Sequence, residues 1–226
     1  MRQFLRTTFL ATLVSLTGAG SCFAQGGYGT TLAADIAFPA GVFAQSFKTG
    51  YGAHVEFFMA EENYLRLYVL LGYDRWGIDN DKINQQYLSL GGSGTLQLDG
   101  HMSSFPLLVG ARLLSPPGNF RFYGLLEGGV YFYSGKITGQ KVENGVVTQN
   151  IYADKSRTEP GVNLGAGLLQ SVGKEVSLDA AVRYHFVKTD TYYNYDLYGT
   201  PSAVSTSKYF SLALGVTYSF AIPSNQ

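Results

Sequence analysis

Cysteine is almost missing from this chain: Cys22 is the only one in 226 residues. It lies in an N-terminal segment expected to be removed, so disulfides cannot hold the remainder together. Charge is scarce too. Asp, Glu, Lys and Arg make up 14% of the sequence, against about 25% in ordinary soluble domains. The 16 basic and 16 acidic residues cancel, and such a chain carries no electrostatic footprint for nucleic acid. No apolar run reaches the roughly 20 residues of a membrane-spanning helix. The three histidines lack metal-ligand spacing, and no motif asks for a cofactor.

What is present begins at the N-terminus. Arg2 and Arg6 precede the apolar stretch Phe9 to Leu16, and small residues then lead to Cys22-Phe23-Ala24. That is the order of a secretory signal peptide. Residues 1–24 are assigned to it, and residues 25–226 to one barrel domain. Cleavage there takes the charges to 14 basic and 16 acidic, a net −2. The alternative, an acylated lipoprotein starting at Cys22, would follow Ala19-Gly20-Ser21 rather than the usual Leu-led pattern.

The aromatic share is 15% and there are 28 glycines, a composition that suits β-structure. Apolar and polar residues alternate with the period of strands in eight runs: 30–38, 51–59, 64–76, 103–114, 120–133, 162–170, 176–186 and 210–220. In the last, Phe210, Leu212, Leu214, Val216, Tyr218 and Phe220 oppose Ser211, Ala213, Gly215, Thr217 and Ser219. Short turns at 60–63, 115–119 and 171–175 alternate with longer polar stretches at about 39–50, 77–102, 134–159 and 188–208. Short periplasmic turns and long extracellular loops mark a transmembrane barrel. The expected fold is therefore all-β: an eight-stranded antiparallel up-and-down transmembrane barrel.

A soluble lipocalin-like barrel also alternates, with its apolar face inward. Three features favour the membrane, one being that the polar face mixes Gly, Ala and Ser with single charges, as a narrow interior requires. The apolar positions persist for nearly the 9–11 residues that a tilted strand needs to cross. Aromatics also gather at strand ends, with Tyr73, Trp76, Phe132, Tyr133, Tyr184, Phe186, Tyr209 and Phe210 expected at one interface. Tyr64, Phe122, Tyr218 and Phe220 are expected at the other.

The segment Lys208 to Phe220 resembles the C-terminal strand of bacterial outer-membrane proteins, although six residues follow the Phe. Three further segments resemble the OmpA-like outer-membrane β-barrel domain family: Phe38-Pro39-Ala40-Gly41, Phe105-Pro106-Leu107-Leu108-Val109-Gly110-Ala111, and Phe122-Tyr123-Gly124 before Glu127-Gly128-Gly129. The likeness spans the mature chain. It implies an integral protein of the outer membrane, inserted by the barrel-assembly machinery and surrounded by outer-membrane lipids, with no peptidoglycan-binding domain.

With the polar face inside, the lumen would hold Asp35, Glu56, Asp74, Glu127 and Asp179 with Arg66, Arg112, Arg121 and Arg183. Buried charges persist when paired, so a filled interior is expected, with a small pore or carrier as the alternative. His54 and His185 would join that network. His101-Met102-Ser103 resembles the His-x-Ser arrangement of some outer-membrane lipid A deacylases, but the sequence shows no orienting acid. No enzyme activity is expected. Tyr192, Tyr193, Tyr195 and Tyr198 crowd the last long loop. They could form an extracellular recognition surface, because Tyr offers large contact area at low entropic cost.

Overall fold

The computed structural model describes residues 27–61, 64–189 and 205–220. The expected signal peptide and the loop tyrosines Tyr192, Tyr193, Tyr195 and Tyr198 lie outside the described residues. Eight strands follow in order: β1 (Tyr28–Ala40), β2 (Gly50–Glu61), β3 (Leu65–Gly77), β4 (Thr95–Leu114), β5 (Phe120–Glu143), β6 (Val146–Ser171), β7 (Val176–Thr189) and β8 (Ser205–Phe220). Each pairs antiparallel with the next, and β1 closes on β8 from Tyr28↔Phe220 to Ala40↔Lys208. Closure removes the edges that an open sheet would leave unpaired within a bilayer.

Side-chain parity sets what each face meets. Leu32, Leu164 and Leu214 point outward with 66%, 60% and 72% of their surface exposed. Thr31, Glu56 and Arg112 point inward and are buried. A soluble protein rarely leaves so continuous an apolar surface open to water. Apolar outside and charged inside is the arrangement of an outer-membrane barrel. Outward aromatics ring both rims: Phe38, Tyr73, Phe105, Phe132, Phe186 and Phe210 on one, and Tyr28, Tyr64, Phe122, Tyr218 and Phe220 on the other. The rim with the short turns is the periplasmic one.

Trp76, Tyr133 and Tyr209 correct the expectation that they belong to the outer belt. All three are buried and face the lumen. The reason is parity: Trp76 stands an odd number of positions from Tyr73, so a period of two puts it on the opposite face. Trp76 meets Tyr209 edge-on at 5.0 Å and Phe43 at 5.3 Å. Phe43 comes from a 3-10 helix, Gly41–Gln45. Together with buried Phe47, these rings cap the extracellular end of the lumen.

The expected loops at 77–102 and 134–159 are also corrected. β4, β5 and β6 continue through much of them as a three-stranded extension beyond the aromatic rim. Above the membrane the outward face has no lipid to meet, so it turns polar and the apolar half of the pattern vanishes. The β5–β6 hairpin closes on Asn144 (φ 51°) and Gly145 (φ 79°). That is the Asn-Gly pair which favours a two-residue turn with both central residues left-handed.

One edge of the extension is covered by a helix, α1 (Asn80–Ser89). Because β3 stops at Gly77, the backbone of Leu96 and Leu98 has no strand beside it there. Asn84 supplies both halves of a strand partner: its amide donates to the Leu96 carbonyl at 2.8 Å, and its side-chain oxygen accepts from the Leu96 N–H at 2.7 Å. Asn80 does the same for Leu98, at 2.5 and 3.2 Å. The two asparagines are one helical turn apart and so share a face. Ile83 and Tyr87 anchor the helix by burial.

Candidate functional site

Seven inward side chains form a charged core across the barrel. Arg112 on β4 donates to Glu56 on β2 at 2.5 Å and to Asp179 on β7 at 2.7 Å. Arg183 on β7 donates to the other oxygen of Glu56 and reaches Glu127 on β5 at 3.1 Å. Two arginines thus clamp three carboxylates contributed by different walls. His54 adds Nε2 to Glu56 at 3.4 Å and Nδ1 to Asp35 at 3.3 Å.

Neutral groups bond several of the remaining positions, and reasoning from charge alone missed them, although Asp35 Oδ1, Arg112 Nε and Arg183 Nη1 are buried without a hydrogen-bond partner among the described residues. Tyr68 donates to Glu127 at 2.7 Å, Tyr123 to Asp179 at 2.5 Å, and Asn163 to Glu127 at 2.7 Å. Tyr131 donates to Asn163 at 2.6 Å, and His185 Nε2 lies 2.8 Å from the Ser211 hydroxyl. The Arg112 guanidinium also lies over two rings, 4.4 Å from Tyr123 and 5.2 Å from Tyr68. Each of those rings rests against a glycine directly opposite on the next strand: Tyr68 against Gly110 and Tyr123 against Gly167. An inward Tyr facing a Gly across the ladder was the legible signal.

A test of that packing follows. A Cβ on Gly110 would fall 2.5 Å from the Tyr68 ring, so Gly110→Val must push the ring off Glu127. The expected loss is about 1–3 kcal/mol of stability, measured by urea titration of the barrel in micelles. An unchanged midpoint would contradict the packing described.

Toward the extracellular end, the Tyr209 hydroxyl donates to Asp74 at 3.2 Å, and Asp74 and Asp35 both lie over Gly52. Arg66 is stacked over Phe58 at 4.2 Å, and Arg121 donates to the Ser115 carbonyl at 3.3 Å. Both stand toward the short turns. Between the charged core and the aromatic cap lies a cavity of about 20 Å³, lined by Asp35, His54, Asp74, Arg183 and His185 among others. That is room for about one water, which is far from a conduction path.

The extension is tied together above the membrane. Lys141 bonds Glu143 at 2.8 Å with its ammonium 5.7 Å from the Tyr87 ring, and the Ser93 hydroxyl donates to Glu143 at 2.6 Å. Lys141 and Ser93 hold the Glu143 carboxyl below its ordinary pKa. Glu143 in turn raises Lys141.

His101 and Ser103 share the outward face of β4 with Asp99, which corrects the expectation that no acid accompanies them: β4 begins at Thr95, so Asp99 lies on the strand and not in a loop. The Ser103 hydroxyl accepts from Tyr73 at 3.2 Å, so that bond engages the oxygen a nucleophile would use. Among the described residues, no three of His, Cys, Asp or Glu converge as metal ligands.

No protein-family model matches the chain, and no curated protein does. Solved structures do match. Neisserial surface protein A is 15% identical, with 85% of this chain and 97% of that one covered at a TM-score of 0.48. The attachment invasion locus protein of Yersinia pestis is also 15% identical, covering 86% and 99% at 0.48. The outer membrane protein OprG from Pseudomonas aeruginosa is 10% identical, covering 87% and 97% at 0.48. No role passes to this chain at such distances.

Proposed function

We propose that this outer-membrane barrel is a surface-contact protein, acting through its extracellular extension rather than through its lumen and without catalysing a reaction. The observation that carries this reading is the extension itself. β4, β5 and β6 run on past the aromatic rim as paired sheet, where a simple closure of the barrel would need only short loops. Asparagines from α1 complete one edge, and the Asn-Gly turn fixes the tip. Such rigid scaffolds place contact residues at fixed positions without an ordering cost on binding. Val146, Val147 and Tyr152 are exposed apolar side chains on β6 of this hairpin.

The pore or carrier alternative is disfavoured by the charged core. Arg112, Arg183, Glu56 and Glu127 are each no more than 2% exposed, which leaves the lumen filled, as the narrow interior of eight strands allows.

Gly135 and Lys155 face each other in the ladder, so an Asn-Gly turn between them can replace the tip of the hairpin. The trimmed barrel is expected to keep its heat-modifiable gel shift. Cells displaying it should attach several-fold less than cells with the full barrel to surfaces coated with glycan or matrix protein. Equal attachment by trimmed and full barrels on every surface would remove the extension as the contact element.

A further inference from the structure

A surface groove of about 630 Å³ opens on the outer wall of the barrel, lined by Tyr51, Arg75, Gly77, Asp99, Gly100, His101, Lys136 and Thr138. Its position is set by register. Arg75 lies opposite Ser103 across β3–β4, and Gly77 and Lys136 flank His101 on either side. All of these stand one or two outward positions above Tyr73, Phe105 and Phe132, the last rings of the apolar belt. The groove thus begins where the lipid-facing surface ends, on the extracellular side.

Gly77 keeps it open. No atom lies within 4 Å of where a Cβ would be, so the floor beside His101 is empty for want of a side chain. Two fixed cations, Arg75 and Lys136, reach the same space, with His101 between them. Asp99 is the one carboxylate in the lining, and Asp154 stands opposite Lys136 on β6. The Asp154 carboxylate accepts from Tyr152 at 3.4 Å.

We infer that this groove binds the phosphorylated headgroup of an outer-leaflet lipid, with Arg75 and Lys136 on the phosphate and the acyl chains lying along the apolar belt below. Charge complementarity selects the phosphate. Continuity with the belt selects a lipid over a free anion, because only a lipid fills both surfaces at once. His101, Thr138 and Asp99 offer hydrogen bonds to hydroxyls of a sugar headgroup. This inference is separable from the contact role of the extension: trimming above the Gly135–Lys155 pair removes Lys136 and Thr138 along with the contact surface, whereas Arg75→Ala and Gly77→Leu leave the extension whole.

Native mass spectrometry of the full barrel, released from micelles holding equal amounts of lipid A and dephosphorylated lipid A, tests it. The wild-type barrel is expected to retain the phosphorylated lipid preferentially. Arg75→Ala and Lys136→Ala should each cut that retention by about fivefold, the worth of one cation near a charged membrane surface. Gly77→Leu should cut it while leaving both cations in place. Lys174→Ala, an exposed cation on the periplasmic turn, should leave it unchanged and so control for bulk charge. Equal retention of the two lipids, or undiminished retention after Arg75→Ala with Lys136→Ala, overturns the site. Loss in the cation variants but not in Gly77→Leu overturns the groove as the seat. Displacement by equimolar inorganic phosphate makes it a free-anion site and overturns the lipid. An unchanged gel shift in each variant establishes that the barrel is folded.

Discussion

Arg112→Ala is expected to lower the unfolding free energy of the barrel by about 3–5 kcal/mol, the largest effect of any single truncation in the lumen. Arg112 is fully buried and holds carboxylates on two different strands. Among the described residues, removing it leaves Glu56 with His54 and Arg183, and Asp179 with the Tyr123 hydroxyl. The loss is the desolvation of charges left behind and not the net worth of the pairs, which against apolar replacements can be close to zero. That distinction is measurable. Adding Asp179→Asn to the alanine variant removes one stranded charge and should recover part of the loss. Urea unfolding in micelles reads both. Simple additivity of the two substitutions would mean that Arg112 and Asp179 do not share one network.

The second large effect lies on the opposite face. Leu214→Arg should cost about 2–4 kcal/mol, the penalty for a cation near the bilayer midplane. Leu214 is 72% exposed and sits midway between the outward rings Phe210 and Phe220. Its strand partners there are Ala34 and Ala180, which cannot shield a charge. Ser134→Arg, one outward position above Phe132, provides the comparison and should cost about 0–1 kcal/mol, since the penalty fades at the interface. Refolding into bilayers of defined thickness gives both values. Equal costs would mean that lipid does not cover this face.

Strand parity was legible from the sequence wherever one face met lipid, because there the contrast between the two faces is absolute. Hence alternation separates Leu32, Leu164 and Leu214 from Glu56, Arg112 and Arg183, and strand length with the aromatic strand ends sets the apolar face outside. Above the rim both faces meet water or polar neighbours, and the same strands read as loops. The Asn144-Gly145 turn carried a local signal that survives this loss of contrast, since it depends on backbone conformation and not on burial. α1 carries a cap signal in Asp79, whose side chain accepts from the Lys82 N–H, but Asn80 and Asn84 face the β4 backbone and only Ile83 and Tyr87 are buried, so its apolar stripe is too narrow to read as a helix. In the lumen the charges were evident, whereas the role of Tyr68 and Tyr123 depended on pairing with Gly110 and Gly167, which alternation within one strand cannot reveal. Trp76 and Tyr209 were assigned by proximity to strand ends. The strand period of two assigns them correctly.

The closed lumen is what separates the contact role from the pore alternative, and planar-bilayer recording of the purified barrel tests it most directly. Two arginines clamping three carboxylates, with an aromatic cap above and room for about one water between, require a flat baseline at applied voltage. Discrete, reproducible conductance steps from the wild-type protein would contradict the closed lumen and return the barrel to the class of small pores.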